Sequence, residues 1–143
     1  MTAALVLTQV LNGLQLGVLL FLLAAGLTLV FGIMDFVNLA HGALYMVGAY
    51  LAAAAAAASG SFVIGVLAAI AGTMAVGALL ELAVLRRLYT RDHLSQVLAT
   101  FALILIANEA VRMVWGDQPV MLNAPDALAG PVELFAGLPY PSY

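Results

Sequence analysis

Long apolar runs, broken at a few polar points, dominate this chain. No charged residue occurs from Met1 to Met34, one stands at Asp35, and none follows from Phe36 to Leu80. A further uncharged run extends from His93 to Asn108. A helix needs about 20 mostly apolar residues to cross the hydrocarbon core of a bilayer. The runs therefore predict spanning helices over Leu5–Ile33, Leu39–Ala58, Phe62–Leu85 and Leu94–Val114. Transmembrane β-strands need short segments of alternating hydrophobicity, and unbroken runs of this length contradict them. The expected fold is all-α, a polytopic membrane bundle of four spans. The first run exceeds one span, which a tilt or an interfacial opening turn accommodates. All five prolines fall after Gly116, so residues 1–116 read as the transmembrane region and 117–143 as an irregular, Pro-rich loop.

Composition agrees with the pattern. Of 143 residues, 66% are apolar and 8% charged, against about 45–50% and 25% in a soluble domain. Mean hydropathy is +1.16. The chain has no cysteine, which excludes thiolate metal sites and cysteine nucleophiles. It has no lysine either, so it cannot form a phosphate-cradling loop of the Walker type. The net charge of −3 gives no electrostatic footprint for nucleic acid. The opening MTAALVLTQV lacks the basic segment of a secretory signal, so it reads as a mature first helix.

The four basic residues are all arginines, and three of them, Arg86, Arg87 and Arg91, sit between spans three and four. The positive-inside rule places that loop in the cytoplasm. Counting outward, the Asp35–Asn38 connection is also cytoplasmic or re-entrant from that side, while the Ser59–Ser61 turn, the amino terminus and the 117–143 loop are external. Helix packing in lipid depends on small residues that let backbones approach. Gly13 with Gly17 makes a GxxxG pair, and Ala68, Gly72 and Ala75 put small residues along span three.

The densest polar group is the stretch from Asp35 to Gly42. If a helix begins at Leu39, Asn38 is its N-cap, accepting a backbone N–H. Asn38, His41, Gly42 and Tyr45 then share one face, which is polar or small where lipid favours leucine. Two readings fit. The segment lines a translocation path, where a helix N-terminus favours an anionic group, or it is a capped helix start with His41 satisfying backbone groups. His41 has no partner ligand, so no metal site is expected, and no nucleophile–base–orienter set is present. Glu109 and Arg112, three residues apart, are expected to pair, and Glu81 is expected to be stabilised by Arg86 and Arg87.

The segment NLAHGALYMVGAY at Asn38–Tyr50 resembles the amino-terminal half of permeases from bacterial ABC importers of branched-chain amino acids. The likeness takes in Asn12-Gly13 with Gly17, GLTLVFGIMDFVN at Gly26–Asn38, Glu81 with LRRLYTRDHLSQVLATF at Leu85–Phe101, Trp115-Gly116 and the tail AGLPYPSY. Urea and short-amide permeases of the same superfamily look similar there. The resemblance implies a multi-pass protein of the bacterial inner membrane, with the Asn38–Gly42 segment near the substrate path. It implies a second permease subunit, two cytoplasmic ATPase subunits that use ATP, and an external substrate-binding protein. No cofactor is expected on this chain itself. Family members carry a second half, so the resemblance implies a truncation at Tyr143. Two rivals stand beside it. One is a membrane scaffold subunit that transports nothing. The other is an intramembrane enzyme using Asp35 and His41, for which the sequence offers no third group.

Overall fold

A computed structural model describes residues 3–118, 120, 131–135 and 138–141. Four helices carry the fold: α1 (Ala3–Met34), α2 (His41–Ser59), α3 (Phe62–Leu88) and α4 (His93–Trp115). Each is long and apolar enough to cross a membrane, and the chain is a multi-pass helical membrane protein. The observed bounds differ from the expected ones by three residues or fewer.

Two compact units make up the chain, Met1–Ala25 with Asn123–Tyr143, and Gly26–Leu122. In the first unit, α1 presents apolar side chains all round, with Leu14 and Phe21 more than half exposed. That is the signature of a helix whose solvent is lipid or another protein. The same unit holds a two-stranded antiparallel ribbon, β1 (Pro131–Phe135) and β2 (Leu138–Pro141). This part of the tail was expected to be irregular, and that expectation is corrected. Val132 pairs with Tyr140 and Phe135 with Leu138, with a register shift between Glu133 and Phe135. Prolines survive here because both strands of a two-stranded ribbon are edges with one unpaired side. The rest of the 117–143 loop, apart from residues 117, 118 and 120, lies outside the described residues.

The second unit is built on the hairpin of α2 and α3. Gly60 ends α2 in the left-handed region (φ 68°) and returns its N–H to Ala56 O at 2.8 Å, a conformation that costs glycine nothing. A two-residue turn then makes α2 and α3 antiparallel neighbours. Their contact runs on small residues. A Cβ added at Gly65 would lie 2.7 Å from Ala52 O, one at Gly72 would lie 2.6 Å from Leu51 Cδ1, and one at Gly48 would lie 2.8 Å from Thr73 Oγ1. Gly65 and Ala53 are buried, whereas Ala75, expected on this surface, is exposed. The packed stripe shares Gly72 with the expected surface and runs along Gly65, Gly72 and Thr73.

Helix α3 does not stop at Leu85. Its α-helical turns (Phe62–Leu80) pass into a π turn at Glu81–Leu85 and a last α-helical turn at Arg86–Leu88. Helix α4 starts at Asp92, whose carboxylate accepts the Ser95 N–H at 3.0 Å and the Ser95 hydroxyl at 2.7 Å. The Ser95 hydroxyl holds the Asp92 carboxyl below its ordinary range, and the backbone bond adds to this. This is a regular N-cap, satisfying one of the orphan donors of the first turn.

Candidate functional site

Between Met34 and His41 the chain leaves the helix, with Asp35 in the left-handed region (φ 49°). A break of this kind inside a membrane protein exposes backbone groups that lipid cannot satisfy. Side chains supply the missing partners. Asn38 Oδ1 accepts the Ala40 N–H at 3.0 Å, and Asn38 O accepts His41 N–H at 3.4 Å. Asn38 therefore closes the turn that leads into α2, three residues before the helix begins at His41; it is not the N-cap expected of it, because the N-cap position falls on Ala40. Asn38 is 8% exposed.

Two further partners come from α4. Gln96 Oε1 accepts the Val37 N–H at 3.1 Å, and Thr100 Oγ1 accepts the Leu39 N–H at 3.3 Å. Thr100 donates its hydroxyl to Gln96 O, one turn back, at 2.8 Å. The Gln96 amide nitrogen donates to Leu88 O at 3.3 Å and Arg91 O at 3.0 Å. Gln96 is 2% exposed and Thr100 is fully buried. Among the described residues no buried side-chain nitrogen or oxygen is left without a partner.

Aromatic packing closes the same region. Phe36, 2% exposed, meets the Tyr89 ring edge-on with centroids 5.1 Å apart, a favoured geometry for two rings. The Tyr89 hydroxyl donates to Glu81 Oε2, at the start of the π turn. Burial pushes the Tyr89 phenol up to about 12, and the Glu81 carboxylate adds to the effect. Tyr89 is therefore a hydrogen-bond donor at physiological pH. Glu81 thus accepts a hydrogen bond from Tyr89. Asp35 lies 3.9 Å from His93, both exposed.

The residues expected on one face of α2 divide among three surroundings. His41 packs on α1: a Cβ at Gly26 would lie 2.8 Å from its Nε2. Gly42 is exposed, with nothing within 4 Å of an added Cβ, and Tyr45 is 51% exposed. Asn38 turns inward. Arg86, Arg87 and Arg91 are all exposed around the π turn and the loop that follows it. At Gly13 and Gly17 an added Cβ meets nothing within 4 Å among the described residues, while Gly72 is in the α2–α3 contact. Arg112 pairs with Asp117 (Nε–Oδ1 3.5 Å), not with Glu109 as expected. Helix α4 unwinds at Gly116 (φ 82°), which brings Asp117 back to the arginine.

An apolar cavity of about 270 Å³ runs from this break along α2 and α4, from Ala40 through Leu44, Val47 and Ala107 to Trp115. Tyr50 and Trp115 meet at its far end, with ring centroids 5.4 Å apart. Among the described residues no three His, Asp or Glu side chains come together as a metal site. What the arrangement can do is mechanical: it holds a helix start, with its positive dipole end, beside an apolar cleft. Sequence reasoning missed Gln96, Thr100, Phe36, Tyr89 and Asp92. Gln96 and Thr100 lie four apart in a stretch, residues 96–107, whose other side chains are apolar, and that spacing marks a polar pair on one face.

The family model for "Branched-chain amino acid transport system / permease component" matches residues 9–130. The chain belongs to this family. Among curated members, a high-affinity branched-chain amino acid transport system permease protein (BraD) of Pseudomonas aeruginosa is 48% identical over 46 residues. Permease proteins LivH of Salmonella typhimurium and Escherichia coli are 47% identical over 45 residues. Each match covers 32% of this chain and 15% of the relative, so the chain is about half as long as these permeases. No solved structure matches.

Proposed function

We propose that this chain provides four membrane helices of an ABC importer permease that moves branched-chain amino acids across the bacterial inner membrane. The observation that carries the reading is the family match over residues 9–130, which takes in the whole broken segment between α1 and α2. In this reading the segment from Asn38 to Tyr45 lies beside the substrate path, and the apolar cleft along α2 and α4 favours aliphatic substrates. A second permease subunit completes the pathway. Two ATPase subunits hydrolyse ATP, and an external binding protein delivers the substrate. The arginine loop faces the cytoplasm, where anionic lipid headgroups attract it.

The test is leucine uptake by proteoliposomes holding the permease that contains these residues, its ATPase subunits and its binding protein. ATP-dependent leucine accumulation, unaffected by excess urea or acetamide, supports the reading. Competition by urea moves the substrate to the short amides, and no uptake of either leaves a scaffold subunit. Topology is tested separately, because the chain has no native cysteine. An impermeant thiol reagent applied to intact cells is expected to label Ser61→Cys and spare Leu88→Cys. The reverse pattern inverts the orientation. Asn123, expected to be external as well, lies outside the described residues.

A further inference from the structure

Two connections meet on one face of the bundle, residues 35–40 between α1 and α2 and residues 89–92 between α3 and α4. Here one buried side chain belongs to both. The Gln96 carboxamide accepts from Val37 on one side and donates to Leu88 and Arg91 on the other. Glutamine suits this position because a primary amide accepts and donates at once. A carboxylate only accepts, and a hydroxyl has a single proton to give.

A second link is independent of the first. Phe36 is held against Tyr89, and Tyr89 is held by Glu81 at the π turn of α3. π turns inside α-helices are frequent at functional sites, and this one anchors the ring that grips the break. Thr100 also accepts the Leu39 N–H, in the turn before α2.

We propose that the two connections form one rigid block, and that Gln96 is the positioning residue which transmits displacement of the arginine loop to the start of α2. The consequence for transport rests on the reading that α2 begins beside the substrate path. A partner pressing on Arg86, Arg87 or Arg91 then turns the Asn38–His41 segment directly. No rearrangement of the membrane-embedded α2–α3 contact is required.

The block is tested by hydrogen exchange on the 143-residue chain in lipid nanodiscs. Gln96→Met keeps the length of the side chain and removes the three hydrogen bonds of its amide. Exchange is expected to accelerate by roughly tenfold or more, the loss of one buried bond, in residues 36–40 and in residues 89–92 together. Acceleration confined to one of the two segments overturns the block. Thr100→Val serves as the second variant, with acceleration expected in residues 38–40 and recovery in Thr100→Ser.

The transport consequence is read in the proteoliposome system as leucine taken up per ATP hydrolysed. Gln96→Met is expected to lower that ratio several-fold while KM for leucine stays unchanged. Tyr89→Phe, which cuts only the Glu81 link, is expected to lower it less. Wild-type uptake with an unaltered ratio in Gln96→Met overturns the positioning role. If the wild type takes up no leucine, the proposed function fails, and the exchange experiment still decides the block.

Discussion

The contact between α2 and α3 and the contact between α4 and the 35–40 connection solve the same problem by opposite means. In lipid no hydrophobic force draws helices together, so association needs close packing or hydrogen bonds. The α2–α3 contact takes the first course. Gly65, Gly72 and Gly48 bring backbones together until an added methyl group would collide. The α4 contact takes the second. Gln96 and Thr100 bury polar atoms against backbone N–H groups that no helix pairs. The difference follows from the partner. A continuous helix offers only a surface to pack on, whereas a broken one offers unsatisfied groups that must be bonded.

The largest effect is expected where the packing side is least able to yield. Gly65→Leu drives a side chain into the carbonyl of Ala52, which is backbone and cannot turn aside. We expect a loss of about 3 kcal/mol, the upper part of the overpacking range, in the thermal unfolding of the chain in detergent. Gly72→Ala meets only the movable end of Leu51 and is expected to cost less than about 1 kcal/mol. Equal losses at the two positions contradict the packing account.

Next comes the bonding side. Thr100→Val preserves shape and leaves the Leu39 N–H without an acceptor, so a loss of about 2 kcal/mol is expected. Thr100→Ser keeps the hydroxyl and should recover most of it. If the serine variant is as unstable as the valine one, the methyl group matters and the hydrogen bond does not.

A smaller effect sharpens the comparison at the exposed start of α4. Asp92→Ala removes the cap on Ser95 and is expected to destabilise α4 on the scale of a single helix cap. The Asp92 carboxyl is held below its ordinary value. Its contribution is therefore present above the unfolded value near pH 4 and is lost as pH falls through the lowered folded one. Unfolding followed between pH 7 and pH 3 should show a wild-type loss that Asp92→Ala lacks. Parallel pH curves for the two proteins count against the cap.

Much of this was legible in the apolar runs. Four helices follow from run length alone, because the bilayer fixes the length of a span whatever its neighbours. Asn38 was legible as a residue that bonds a nearby backbone N–H, because such bonds are local, but the helix start was placed two residues early: α2 begins at His41, and Ala40, not Asn38, is at its N-cap position. Gln96 and Thr100 were not legible as the partners of Val37 and Leu39, because those bonds join residues 59 and 61 positions apart. The partner of Arg112 was not legible either, because Asp117 reaches it only through the turn at Gly116, beyond the end of the helix. Ala75 failed as a packing residue because small size marks a side chain able to pack without saying which neighbour it faces.

The π turn at Glu81–Leu85 changes the phase of everything beyond it. One extra residue in a turn rotates the following positions by about 100° around the axis relative to an unbroken α-helix. The face on which Arg86 and Arg87 emerge is thus set by that insertion, not by the apolar pattern of the span before it. Deleting a single residue there would leave the arginine count, the span and the charge balance intact while re-aiming both guanidinium groups by more than a quarter of a circle. In this chain the direction of the basic patch is a property of one irregular turn.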